Sequence, residues 1–156
     1  DEPELFRQCV ANIASVRAAC AKYGMPLMIE PLVMLPNDIR GGYQVDGDAE
    51  KIVPLVRLAA EMGADIIKAD PTSNPDEFHR VVEAARVPVL VRGGGKEELG
   101  VVFRKSAALL AQGACGLVYG RNIYQHDNPK RVVAALMAMI HRGASGDEAW
   151  EVYSHG

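Results

Sequence analysis

Lys68 closes the run Gly63-Ala64-Asp65-Ile66-Ile67-Lys68, and a lysine so placed points to carbonyl chemistry. An apolar stretch this short, with Gly63 before it and Pro71 after, reads as a buried strand. Lysine is seldom drawn inside without a partner or a task. Burial disfavours an ammonium, and a neutral amine attacks a carbonyl carbon to form a Schiff base. Strand alternation sets Ile66, Lys68 and Asp70 on one face. Two structural readings stand beside the catalytic one. The lysine could snorkel from the strand end, or pair with Asp70.

Glu30 interrupts the apolar run Leu27-Met28-Ile29-Glu30-Pro31-Leu32. Imine formation and carbon–carbon cleavage both need proton transfers, which a carboxylate near the lysine supplies. The structural alternative is a pair with Arg40 or a helix N-terminus. Two further strand ends carry glycine and arginine, Arg92-Gly93-Gly94-Gly95 and Gly120-Arg121-Asn122. Glycines let backbone N–H groups approach an oxyanion, and a following helix adds positive potential. Tight turns are the plainer explanation of either run alone.

Other chemistries lack their residues. His79, His126, His141 and His155 show no metal-ligand spacing, so a metal-dependent mechanism is disfavoured. No nucleophile elbow, phosphate-binding P-loop or dinucleotide fingerprint occurs. The net charge of −3 argues against a nucleic-acid surface. No apolar run approaches the roughly 20 residues of a membrane helix. Cys9, Cys20 and Cys115 have no C-x-x-C spacing and read as reduced thiols of a cytoplasmic protein.

The elements that must position these side chains alternate. A helix from about Pro3 to Tyr23 carries the stripe Phe6, Cys9, Val10, Ile13, Val16 and Cys20 and ends at Gly24. Strands follow at 27–32, 63–70, 87–91 and 116–119. Helices follow the strands at about 48–63, 75–85, 98–112 and 129–143. Asn74-Pro75-Asp76-Glu77 has the pattern of a capping box. A polar loop spans Asn37 to Gly42, and Ser145-Gly146-Asp147-Glu148 caps a last turn or two bearing Trp150 and Tyr153.

Strand–helix alternation means a parallel sheet covered by helices. The repeat is close to the roughly 30 residues per unit of a (β/α)8 barrel, but it fits an open doubly wound sheet nearly as well, and the polar residues decide between them. Glu30, Lys68, Arg92 and Arg121 all fall at carboxyl ends of strands, the face where barrel active sites form. The expected fold is therefore the C-terminal half, strands five to eight, of a TIM barrel, as a single domain over residues 1–156. Half a barrel leaves open sheet edges and an uncovered interior. The expectation is that the chain is part of a longer polypeptide, or pairs with a second half-barrel.

Three segments resemble the archaeal-type class I fructose-bisphosphate aldolases and their relatives. Gly-Ala-Asp-Ile-Ile-Lys at 63–68 is similar to the family's Schiff-base strand. Val-Leu-Val-Arg-Gly-Gly-Gly-Lys at 89–96 resembles its strand-seven phosphate loop. Gly-Arg-Asn-Ile-Tyr-Gln at 120–125 resembles its strand-eight phosphate loop. The resemblance implies a cytoplasmic, metal-independent, cofactor-free lyase that cleaves a phosphorylated keto sugar through a lysine imine. It implies homo-oligomers such as pentamers or decamers. Lys68 would form the imine. Arg92, Gly93, Gly94, Gly120 and Arg121 would hold the substrate phosphate. Glu30 is similar to the proton-transfer glutamate of tagatose-bisphosphate aldolases. Two departures stand out: Leu32 where a catalytic tyrosine is expected, and Arg92 where a small residue usually precedes the glycines. Sister activities on the scaffold are a phospho-diketone thiolase and an amino-sugar transaldolase. From another class, the chain could be a non-catalytic, phosphate-binding half-barrel.

Overall fold

Pro3 in the first turn and Gly24 at φ +64° bracket the opening helix, α1 (Pro3–Tyr23). In the computed structural model, which describes residues 2–39 and 41–156, this helix forms as expected. Its apolar stripe is covered only in part. No residue of α1 is fully buried; Ile13 packs against the core, while Phe6 and Val16 remain about half exposed.

The first strand is shorter than its apolar run. β1 (Met28–Ile29) stops before Pro31, which has no N–H to give to a ladder. The expected loop after it contains a hairpin, β2 (Met34–Pro36) and β3 (Tyr43–Val45), antiparallel with Met34 opposite Val45. Gly41 and Gly42 turn it at φ +73° and +71°. Arg40, the alternative partner for Glu30, lies outside the described residues.

Helix α2 (Ala49–Glu61) starts at Asp48, whose carboxylate accepts the Glu50 N–H at 2.9 Å. Strand β4 (Ile66–Ala69) follows. Asn74 caps the Asp76 N–H, but the chain then tightens into a 3-10 turn at Pro75–Glu77 before α3 (Phe78–Ala85). The Asn74 carbonyl takes the Glu77 N–H, so the expected capping box does not close. Then come β5 (Val89–Arg92), α4 (Leu99–Ala111), β6 (Gly116–Val118), the short α5 (Arg121–Tyr124), and α6 (Pro129–Arg142). The last element, α7 (Gly146–His155), is longer than a turn or two. Its Ser145–Glu148 capping box is closed in both directions. No helix among the described residues is long and apolar enough to cross a membrane.

The main sheet has order β1-β4-β5-β6, with every pairing parallel. Its two faces differ. Ile67, Ala69, Val89 and Val91 point to the helix-covered side and are fully buried. They meet Ile52 and Val56 of α2 and Phe78 and Val81 of α3 in one cluster. Each of the valine, isoleucine and phenylalanine side chains among them contributes about 1.5–3 kcal/mol by leaving water. A second cluster joins Phe103 of α4 to Val132 and Leu136 of α6 and Ala149 of α7. The opposite face, with Ile66, Lys68, Leu90 and Arg92, is only half buried. That open face and the carboxyl strand ends hold the charged residues Glu30, Lys68 and Arg92.

Candidate active site

Register alone brings four charged residues together. Ile29 pairs with Ile67, Lys68 with Leu90, and Ala69 with Val91. One step past β1 therefore sets Glu30 beside Lys68. One step past β4 sets Asp70 beside Arg92. The Lys68 Nζ lies 3.0 Å from Glu30 Oε1, with the lysine side chain 22% exposed and the glutamate 36%. Arg92 Nε lies 3.8 Å from the same Glu30 oxygen. It also donates a hydrogen bond to Asp70 Oδ1. Glu30 thus stands between two cations.

Asp70 is fully buried, a position that tolerates a carboxylate only when both oxygens are matched. Oδ1 takes Arg92, and Oδ2 accepts the Val33 N–H at 3.0 Å. The alternative Lys68–Asp70 pair is not formed; Lys68 pairs with Glu30 instead. Sequence reading gave Asp70 no role of its own. Its signal was a carboxylate two residues past a strand lysine, on the same face.

The glycine runs play unequal parts. The Gly93 N–H is taken by the Val118 carbonyl at 3.0 Å and cannot also serve an anion. A Cβ on Gly93 would stand 2.9 Å from the Tyr119 ring, so glycine is required there for close packing. Gly94 and Gly95 face open space. A cleft of about 250 Å³ opens at the carboxyl ends of β4, β5 and β6. Arg92, Gly93, Gly94, Thr72, Lys105, Tyr119 and Asn122 contribute to its walls. Lys68 and Glu30 do not; Arg92 is the link between them and the cleft. Gly120 and Arg121 cap and begin α5, are exposed, and lie outside the lining. Asn122 between them and the cleft is buried, and its Oδ1 accepts the Glu97 N–H at 2.9 Å. It ties the loop after β5 to the start of α5.

Two groups near the cleft have displaced protonation. Burial pushes the Tyr119 hydroxyl above the ordinary tyrosine range, against a weaker opposing hydrogen bond with Ser106 Oγ at 3.0 Å. The Gly100 N–H, and after it the Val101 N–H, hold the Glu98 carboxyl below its usual range at the start of α4. No group of three or more His, Cys, Asp or Glu among the described residues comes together to hold a metal ion.

Comparison with known proteins bears on this geometry. The profile of the DeoC/LacD family of aldolases matches residues 1–126. An uncharacterized aldolase of Saccharolobus solfataricus is 34% identical over 141 residues, 90% of this chain and 50% of that one. A 3-hydroxy-5-phosphonooxypentane-2,4-dione thiolase of Shigella flexneri is 33% identical over 150 residues, 96% of this chain and 55% of that one. The solved structure of a Schiff-base-forming fructose-1,6-bisphosphate aldolase superposes with a TM-score of 0.78 at 28% identity, over 88% of this chain and 54% of that one. The chain spans about half the length of the curated relatives it matches.

Proposed function

The chain belongs to the DeoC/LacD family of aldolases, and from that premise we propose that it is the strand-five-to-eight half of a class I aldolase barrel acting on a phosphorylated keto sugar. The observation that carries this reading is the Lys68 amine at a parallel strand's carboxyl end, 3.0 Å from the Glu30 carboxylate. The Schiff-base chemistry of the superposed aldolase supports it.

The steps use this chain's residues in order. Neutral Lys68 attacks the substrate ketone, forming a carbon–nitrogen bond and a carbinolamine. A proton passed by Glu30 or water lets hydroxide leave as water, giving the iminium. The iminium draws in the electron pair of the adjacent carbon–carbon bond as it breaks. An aldehyde departs, its hydroxyl proton passing to a base, and an enamine stays on Lys68. Protonation at carbon and hydrolysis release the ketone and free the amine. Gly94, Gly120 and Arg121 are the proposed phosphate ligands, while the Arg92 guanidinium is held by Asp70 and Glu30. Gly93 joins them as a spacer that brings the loop close to β6. The imine itself is the only covalent device required.

Among the described residues the outer sides of β1 and β6 are unpaired, and these edges with the half-exposed Met28 and Leu32 support completion by the other half-barrel, or by a further copy of the chain. A well-folded monomer of residues 1–156 in sedimentation is the result that counts against this. Within the intact protein, borohydride reduction with a keto sugar phosphate is expected to fix the sugar on Lys68. Absence of that adduct overturns the reading. The thiolase relative at 33% identity favours one second reading, a phosphorylated diketone as substrate. A panel of keto sugar phosphates and phosphorylated diketones separates the two by turnover.

A further inference from the structure

The ion pair of Lys68 with Glu30 exists only while the lysine is charged. In the proposed reaction the nitrogen must lose its charge before it attacks, and again at the carbinolamine and enamine. Glu30 is then released from its partner. It is 36% exposed, lies past the end of β1, and has no strand partner to hold its backbone. Nothing on its own element would stop it from swinging into water.

Arg92 meets this need. Its Nε lies 3.8 Å from the same Glu30 oxygen that Lys68 touches. Arginine stays charged throughout any such cycle. Its own position is fixed from behind by Asp70, which is fully buried and locked by the Val33 N–H. The order Val33, Asp70, Arg92, Glu30, Lys68 runs from rigid backbone to reactive nitrogen. Asp70 and Arg92 keep their charges, and only the Glu30 and Lys68 end of the chain exchanges protons.

We propose that Arg92, anchored by Asp70, is a positioning residue that keeps the Glu30 carboxylate against the Lys68 nitrogen whenever that nitrogen is uncharged. The inference rests on the reading of Lys68 as the imine-forming residue. It differs from a phosphate-ligand role for Arg92, because it predicts an effect that does not depend on the substrate's phosphate.

Two experiments on the intact protein decide it. The first needs no chemistry. In Lys68→Met, which mimics the uncharged nitrogen, a crystal structure is expected to show Glu30 still at Arg92. In Lys68→Met with Arg92→Gln, Glu30 is expected to leave. Departure of Glu30 in the single variant overturns the proposal, whatever the fate of the aldolase reading. The second is borohydride trapping with dihydroxyacetone and with its phosphate. Arg92→Gln is expected to slow adduct formation by about ten- to a hundredfold with both, and Arg92→Lys is expected to recover most of the rate. A loss confined to the phosphorylated ketone overturns the proposal and makes Arg92 a phosphate ligand. Should Arg92→Gln fold poorly, the Asp70→Asn/Arg92→Gln pair removes the stranded carboxylate and gives the same comparison. Absence of any adduct in the unmodified protein instead refutes the lysine imine, and the first experiment still judges Arg92.

Discussion

Arg92→Ala exposes the energetic logic of the charged group. The variant leaves Asp70 fully buried without its cation. Removing one partner of a buried ion pair costs about 3–5 kcal/mol, because the remaining charge has neither water nor counterion. Two features place this case at the lower end. The arginine side chain is 15% exposed, so water can reach the vacated space. The second Asp70 oxygen also keeps the Val33 N–H. A loss of about 3 kcal/mol is then expected, out of the 5–15 kcal/mol typical of a domain. With a urea slope of about 2 kcal/mol per molar, the unfolding midpoint falls by about 1.5 M. Circular dichroism during urea titration reads it directly. Asp70→Asn with Arg92→Gln should lose less than Arg92→Ala, since no charge is left stranded. A midpoint shift below about 0.3 M for Arg92→Ala refutes the reasoning, because Asp70 would then be reaching solvent or another partner.

Further outcomes follow from packing and protonation. Gly93→Ala should cost about 1–3 kcal/mol, seen as a lower melting temperature, since its Cβ would meet Tyr119 at 2.9 Å and the Val118 carbonyl at 3.3 Å. Arg86 ends α3 at φ +55°, a conformation unfavourable to any side chain, so Arg86→Gly should gain about 1 kcal/mol in the same assay. Burial raises Tyr119 in the folded state; its contribution to stability is therefore full below the unfolded tyrosine range and declines as pH rises through the folded value. Ultraviolet titration should show a late phenolate step that Tyr119→Phe lacks. Glu98 is shifted the other way: its contribution is present above the ordinary carboxylate range and fades as pH falls through the lowered folded value. Glu98→Gln should therefore flatten the acid limb of a stability-against-pH curve.

Local signals carried much of the architecture. Caps at Asp48, Asn128 and Ser145, and glycines at 24 and 143, mark helix ends that the backbone hydrogen bonds reproduce. The order of strands and helices was legible because buried parallel strands are continuous apolar runs between amphipathic helices. Glu30 and Lys68 stood out as charges inside such runs, and their strand-end positions put them on one face. The Asp70–Arg92 pair was not legible, because it depends on the register between β4 and β5, which no local pattern encodes. The β2–β3 hairpin escaped because three-residue strands are too short to show alternation. The stripe on α1 was correctly placed along the helix, yet periodicity cannot tell whether a partner covers an apolar face. The glycine at 93 was read as freeing an N–H for an anion, whereas its backbone donor completes the sheet and its missing side chain admits Tyr119.

Val33 joins two parts of the fold, the β2–β3 hairpin and the buried carboxylate of Asp70. Its amide proton goes to Asp70, and its carbonyl accepts the Asp46 N–H at the far root of the hairpin. A single residue is thus both the hinge post of a surface excursion and the back wall of a charged cluster. Shortening or lengthening the turn at 37–42 would pull on that post and reach the lysine through four polar contacts, Val33 to Asp70, Asp70 to Arg92, Arg92 to Glu30 and Glu30 to Lys68. Loop length in this segment is consequently expected to alter the geometry of the charged cluster, even though no described side chain between 37 and 42 lines the cleft.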